Sequence, residues 1–279
     1  MLLNLLWTHL DASAVDMQLE YLRRLAPRSR FVVCHGGKHD DFDGITHQDK
    51  LFIDDDTLRT DRAWNQSAFK LLGSAHQAFV AGNDIEAVFL FEYNHLVLRG
   101  DFELALEQLL NLSGADFVAK TCVPKDTNNW VHAIRARHDP EFMAFLGQIS
   151  VRDDPARLYG CLGTGFVIRR AALEALLAVT PPRLDYHELY LPTVLHHLGF
   201  RLADVDELSD IYDEVAYLPA KTLPQVLQAK RRGHFFVHPF KQLRHLDRIQ
   251  RAPGPPARVP ATGDQRIPRE DITPRATPV

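Results

Sequence analysis

Cysteine is scarce in this 279-residue chain: three residues, Cys34, Cys122 and Cys161, odd in number and far apart. With no CxxC pair among them, they argue against a disulfide framework and against a structural zinc site. They read as three buried apolar thiols in a reducing compartment. A basic excess is also lacking. Lys and Arg number 32 against 36 Asp and Glu, a formal charge of −4, whereas a nucleic-acid partner calls for a basic footprint. No apolar run is long enough to cross a bilayer. The opening MLLNLLWTHLDAS has no basic flank and is broken by Asn4 and His9, so it reads as a first core strand. These absences lead us to expect a cytoplasmic protein with no transmembrane segment. The Walker A, GxGxxG, GxSxG and HExxH patterns are missing too, which disfavours NTPases, classical dehydrogenases, serine hydrolases and zinc proteases.

Hydrophobic residues supply 46% of the chain, enough for a substantial core. Apolar runs at Leu2–Trp7, Arg30–His35, Lys50–Ile53, Ala87–Phe91 and Phe117–Ala119 read as strands covered on both faces. Between them apolar residues recur at helical spacing: Val15, Leu19 and Leu22 behind a weak cap at Ser13 or Asp16; Trp64, Ala68, Leu71, Leu72, Ala75 and Phe79 behind Asp61; and Phe102, Leu106 and Leu109. This alternation predicts an α/β fold with a mostly parallel sheet and helices on both faces. Further on, residues 121–158 read as a long polar loop over a site, Cys161–Ile168 as a glycine-punctuated strand, and Phe235–His238 as a last short strand. We expect one domain over residues 1–245 and a disordered Pro- and Arg-rich tail over 251–279.

Parallel sheets bind ligands at the carboxyl ends of their strands. The polar residues there are Thr8, His9 and Asp11; His35, Gly36 and Gly37; Asp54, Asp55 and Asp56; Glu92, Asn94 and His95; and His238. Asp and Asn also open ordinary loops, so no one of these stands alone. The sharpest element is Phe89-Leu90-Phe91-Glu92-Tyr93-Asn94. In extended chain Glu92 and Asn94 share a face, and their oxygens suit a hard cation, Mg²⁺ or Mn²⁺.

Here the chain resembles the GT-A glycosyltransferases, whose fourth-strand region ends in a DxD-type acidic motif. Glu92 and Asn94 take the two outer places in an ExN variant. The similarity continues through Gly160–Arg170 (GCLGTGFVIRR), through Asp185-Tyr186-His187-Glu188 ahead of a helix, and through Val237-His238-Pro239-Phe240-Lys241. It covers roughly residues 2–241. The resemblance implies a GT-A-like, Rossmann-type mixed sheet, with a nucleotide-sugar-binding half at 1–120 and an acceptor half at 121–245. It implies a UDP- or GDP-sugar donor and an unknown hydroxyl acceptor. Under it, Thr8, His9, His35, Gly36, Asp54, Asp55, Glu92, Tyr93 and Lys241 line the donor. Glu92, Asn94 and His238 hold the metal. Trp130, Gly163, Thr164 and His187 face the acceptor, and Tyr159 joins Trp130 as a sugar platform. Glu188, with Asp185 as second choice, is the base if the reaction inverts; in a retaining reaction, which needs no such base, Glu188 would only orient the acceptor. The bland counterpart for Glu188 is a carboxylate favoured by a helix N-terminus. Lys230, Arg231 and Arg232 read either as helpers of Lys241 or as a solvated basic loop.

Sugar-phosphate nucleotidylyltransferases resemble the chain in architecture but need a glycine-rich basic loop after the first strand, and Thr8–Ser13 has neither glycine nor a basic residue. The remaining alternative is a degenerate GT-A domain that binds a nucleotide sugar or a protein without turnover, for which the neutral Asn94 is the main support.

Overall fold

The computed structural model describes residues 1–54, 66–125, 130–180, 182 and 186–254. The first half holds β1 (Leu2–Thr8), α1 (Ala12–Leu25), β2 (Phe31–His35), α2 (His39–Gly44), β3 (Lys50–Phe52), α3 (Gln66–Ala75), β4 (Ala87–Glu92), β5 (Leu96–Val97), α4 (Phe102–Ser113) and β6 (Phe117–Ala119). After these come β7 (Val123–Pro124), α5 (Val131–Arg137), α6 (Pro140–Ile149), β8 (Tyr159–Gly160), β9 (Phe166–Arg169), α7 (Arg170–Ala178) and α8 (His187–His197). The last are β10 (Leu202–Asp204), α9 (Val205–Leu208), α10 (Leu223–Arg232), β11 (Phe236–Val237) and α11 (Leu246–Arg251).

Seven strands form one sheet in the order β10-β6-β9-β4-β1-β2-β3. All its pairings are parallel except those of β9, which runs antiparallel to both β4 and β6. The pleat divides each strand between two cores. Leu2 and Leu6 of β1 and Phe89 and Phe91 of β4 join α1, α4, α10 and α11 on one face. Leu3, Leu5, Val88 and Leu90 join α3, α6, α7 and α8 on the other. Apolar strands followed by one-sided helical stripes allow little else, because each stripe must be covered by a sheet face. Cys34, Cys122 and Cys161 are all buried and free. Among the described residues no helix is long and apolar enough to cross a membrane.

Several local expectations change. Asp11, not Ser13 or Asp16, caps α1, its carboxylate accepting from the Ala14 N–H at 2.9 Å. The stretch expected as a polar loop carries α5 and α6; Phe142 and Leu146, one turn apart, anchor α6 in the core. Asp139 caps α6, and Pro140 opens it. Of the expected glycine-punctuated strand Cys161–Ile168, only the part from Phe166 on is strand, within β9, because Gly165 turns the chain at φ +75°. Lys230–Arg232 close α10 and are not a loop; Lys230 donates to the carbonyls of Ile249 at 2.6 Å and Gln250 at 2.9 Å. Asp55, Asp56, Asp61, Trp64, Asp185 and the tail from residue 255 lie outside the described residues.

Candidate active site

The chain leaves β1 toward β2 and β3 on one side and returns to β4 on the other. The carboxyl ends of β1 and β4 therefore border the crevice where open α/β sheets take their ligands. Trp7 and Glu92 are register partners there. Val88, Leu90 and Glu92 alternate onto one face, and α8 packs on that face. Its first turn brings Glu188 close enough for its charge to act on Glu92.

Two consecutive residues between β8 and β9 tie down the Glu188 carboxyl and the Glu92 backbone. The Gly163 N–H donates to Glu188 Oε1 at 2.8 Å. Thr164 Oγ1 accepts the Glu92 N–H at 2.9 Å. Position 163 has room only for glycine: a Cβ there meets His187 Nε2 at 2.2 Å and Glu188 Cγ at 2.7 Å. Tyr186, which precedes α8, shares a side-chain hydrogen bond with Glu188; burial first, then that carboxylate, raises its pKa and keeps it a donor. Burial pushes Glu92 up to about 7, with Glu188 adding to the rise and Lys241 and an Asn94 hydrogen bond opposing it. A carboxyl poised near neutrality beside a second carboxyl is a functional-site signature.

The chain does not stay extended from Glu92 to Asn94. It turns at Tyr93–Asn94, with the His95 N–H bonded back to the Glu92 carbonyl at 2.9 Å. That turn, not the pleat, lets the Asn94 amide bond the Glu92 carboxyl. An amide donates only through nitrogen, and Asn94 Oδ1 is buried with no partner. His238 lies beyond β11, whose pairing with β5 carries it beside this turn; the Phe240 N–H donates to the Asn94 carbonyl at 2.8 Å. His238 Nδ1 bonds the Ala216 carbonyl at 2.7 Å. A carbonyl can only accept, so Nδ1 carries the proton and Nε2 is a bare lone pair, buried and without a partner. Burial, with Lys241 adding, lowers the His238 pKa and keeps the ring neutral. An imidazole oriented through its other nitrogen is the usual form of a metal-binding histidine. Among the described residues no group of three His, Cys, Asp or Glu stands ready for a metal. The amide oxygen of Asn94 is what would make a third donor beside Glu92 and His238. Two orphaned buried donors next to a carboxyl fit a divalent cation.

The remaining candidates divide into those at the crevice and those that hold it up. His9 packs edge-on to Tyr93 at 4.9 Å, its pKa lowered by burial and then by His35 and Lys241. Lys241 is exposed, and its charge reaches His9, Glu92 and His238. His35 has both nitrogens engaged, Nε2 with the Leu10 carbonyl at 2.9 Å and Nδ1 with the Gly37 N–H at 3.3 Å. Thr8 caps the Leu10 N–H at 3.2 Å, and the Gly36 N–H returns to the Thr8 carbonyl at 2.9 Å. These three shape the loop after β1. Asp54 is exposed beyond β3. Trp130 and Tyr186 rings lie 5.5 Å apart, and His187 meets Trp7 at 5.6 Å, so an aromatic wall flanks Glu188. Tyr159 is not part of it: its ring packs on His196 in the last turn of α8, 4.6 Å away. Sequence reasoning missed Trp7 and Tyr186 as site residues. Trp7 reads as core, and Tyr186 had only its place beside Glu188 to mark it.

No protein-family model matches the chain, and no curated protein matches it. Solved structures do. A mannosyltransferase from Pyrobaculum calidifontis, PcManGT, solved with GDP-Man and Mn²⁺, aligns with 73% of this chain at 14% identity and a TM-score of 0.43. The chain spans about half of that protein's length, 54%. The galactosyltransferase LgtC, solved with donor and acceptor sugar analogs, aligns with 73% of each chain at 10% identity and a TM-score of 0.36. A197 from STIV aligns with 72% of this chain at 15% identity and a TM-score of 0.33.

Proposed function

We propose that this protein is a GT-A-type glycosyltransferase that moves a sugar from a nucleoside-diphosphate sugar to a hydroxyl acceptor. The observation that carries the reading is the meeting of Glu92, Asn94, His238 and Lys241 with Glu188 at the crevice between β1 and β4. One side of the crevice offers neutral oxygen and nitrogen donors and a lysine, which suit a diphosphate. The other offers an oriented carboxylate beside aromatic rings, which suits an acceptor hydroxyl.

Glu92, Asn94 and His238 are the residues that would hold Mn²⁺ or Mg²⁺, which when bound supplies positive charge against the diphosphate. Lys241 adds a point charge on the same group. In the inverting form of the reaction the acceptor oxygen bonds the anomeric carbon as the bond from that carbon to the phosphate oxygen breaks. The nucleoside diphosphate leaves with the electron pair, and Glu188 takes the hydroxyl proton. Gly163 and Tyr186 keep the Glu188 carboxyl from rotating away.

Thermal unfolding with UDP, GDP, CDP and dTDP, each with and without Mn²⁺, tests the donor site. A ligand at one hundred times its dissociation constant adds about 2.7 kcal/mol to the folded state. We expect a metal-dependent shift with one of the four. A metal-independent shift would assign the diphosphate to Lys241 alone, and no shift with any of them would overturn the transferase reading in favour of a domain without turnover.

A further inference from the structure

The segment between α9 and α10 runs along the loop that carries His238. Val215 bridges His238. The Ala216 N–H donates to the His238 carbonyl at 3.1 Å, and the Ala216 carbonyl accepts from His238 Nδ1 at 2.7 Å. On the return, the Lys221 N–H donates to the Pro239 carbonyl at 2.8 Å. Both ends of the segment are thus pinned to the loop that carries His238. Between the pins, Tyr217 and Leu218 are 69% and 68% exposed.

Single exposed apolar residues are ordinary, but two side by side on a pinned tip at the edge of a polar cleft mark a contact surface. The tip stands on the Glu188 side: Tyr217 is near enough to Tyr186 to raise its pKa further. Tyr186 continues into Trp130 at 5.5 Å and stacks on His132 at 3.9 Å. The charges beside the tip, Lys221 and Glu214, pair with each other at 2.8 Å. That pair adds no net charge of its own beside the tip. What the tip presents is a flat ring and a branched aliphatic group, both exposed to water.

We propose that Tyr217 and Leu218 are the outer wall of the acceptor subsite, and that the acceptor is a saccharide whose apolar pyranose face lies on Tyr217. This rests on the transferase reading and adds the substrate class. A pyranose ring has a C–H face that aromatic rings cover well and a hydroxyl rim that stays wet. One hydroxyl of that rim then points inward to Glu188.

The test uses the full chain and a panel of methyl and p-nitrophenyl hexopyranosides. Saturation-transfer NMR reads binding of each pyranoside without any turnover. Nucleotide release from the donor reads the transferase site, and product formation reads transfer. We expect at least one pyranoside to bind through its ring protons. Tyr217→Ala should raise its KM at least tenfold, and Tyr217→Trp or Tyr217→Phe should keep KM near the parent value. Leu112→Ala, 87% exposed on α4, is the control for surface substitution. If the donor is turned over but no pyranoside binds, or if Tyr217→Ala leaves KM unchanged, the inference falls and the transferase reading stands. If no donor is bound or turned over, both fall.

Discussion

Thr164 accepts the backbone N–H of Glu92 at 2.9 Å. The bond joins the end of a parallel strand to the turn before the antiparallel one. The preceding residue, Gly163, holds Glu188. A two-residue turn thus ties the Glu92 end of β4 to Glu188 at the start of α8.

Glu188→Gln should lower the transfer rate by about 10²–10⁴, the usual worth of a general base. The amide keeps an oxygen for the Gly163 N–H, so the melting temperature should stay close to the parent. Steady-state kinetics with unchanged far-UV circular dichroism checks this. A variant that retains most of its rate would remove Glu188 from the chemistry.

Gly163→Ala should displace the Glu188 carboxyl. The added methyl runs into His187 and Glu188, and overpacking of this kind costs about 1–3 kcal/mol. Chemical denaturation should show the loss. Activity should fall beyond what the remaining folded fraction explains, because Glu188 must move to admit the methyl.

The pH dependence follows from Glu92. Its pKa when folded, about 7, lies above the ordinary 4.5. The folded protein therefore binds a proton that the unfolded chain has released between those values. Its stabilising effect is full below about pH 4.5 and is lost as pH rises through 7. Beyond that, the ionised, partly buried carboxyl costs on the order of 1–3 kcal/mol. Glu92→Gln should flatten this part of the stability curve and melt higher than the parent at pH 8. An identical fall in both proteins would exclude Glu92 as its origin.

Asn94→Asp should trade stability for affinity. A second carboxylate beside Glu92 adds repulsion in the absence of metal and one more hard oxygen in its presence. We expect a lower melting temperature in chelator and a larger rise with Mn²⁺ than the parent shows. His238→Ala should reduce the Mn²⁺ response while keeping a metal-free nucleotide shift through Lys241. Equal Mn²⁺ responses in all three proteins would place the cation elsewhere.

The sequence by itself determined the alternation of strands and helices, because a buried parallel strand must be apolar on both faces and a covering helix on one. Leu2–Thr8 and Ala87–Glu92 were legible for that reason, as was the polar cluster at their carboxyl ends. Helices α5 and α6 were not, since their short apolar stripes, such as Phe142 and Leu146, are hard to tell from a polar loop. Only the tertiary structure decided how the cluster is wired. The turn at Tyr93–Asn94 overrode the extended geometry that the motif suggested. His35 proved committed to loop carbonyl and amide groups, and Tyr159 packed on His196. The couplings of Glu92 with Glu188, of Asn94 with the His238 loop and of Tyr217 with Tyr186 join residues dozens to well over a hundred positions apart. No local pattern encodes such pairs. They exist because a seven-stranded sheet and the packing of α8 and β11 against it place distant loops over one edge.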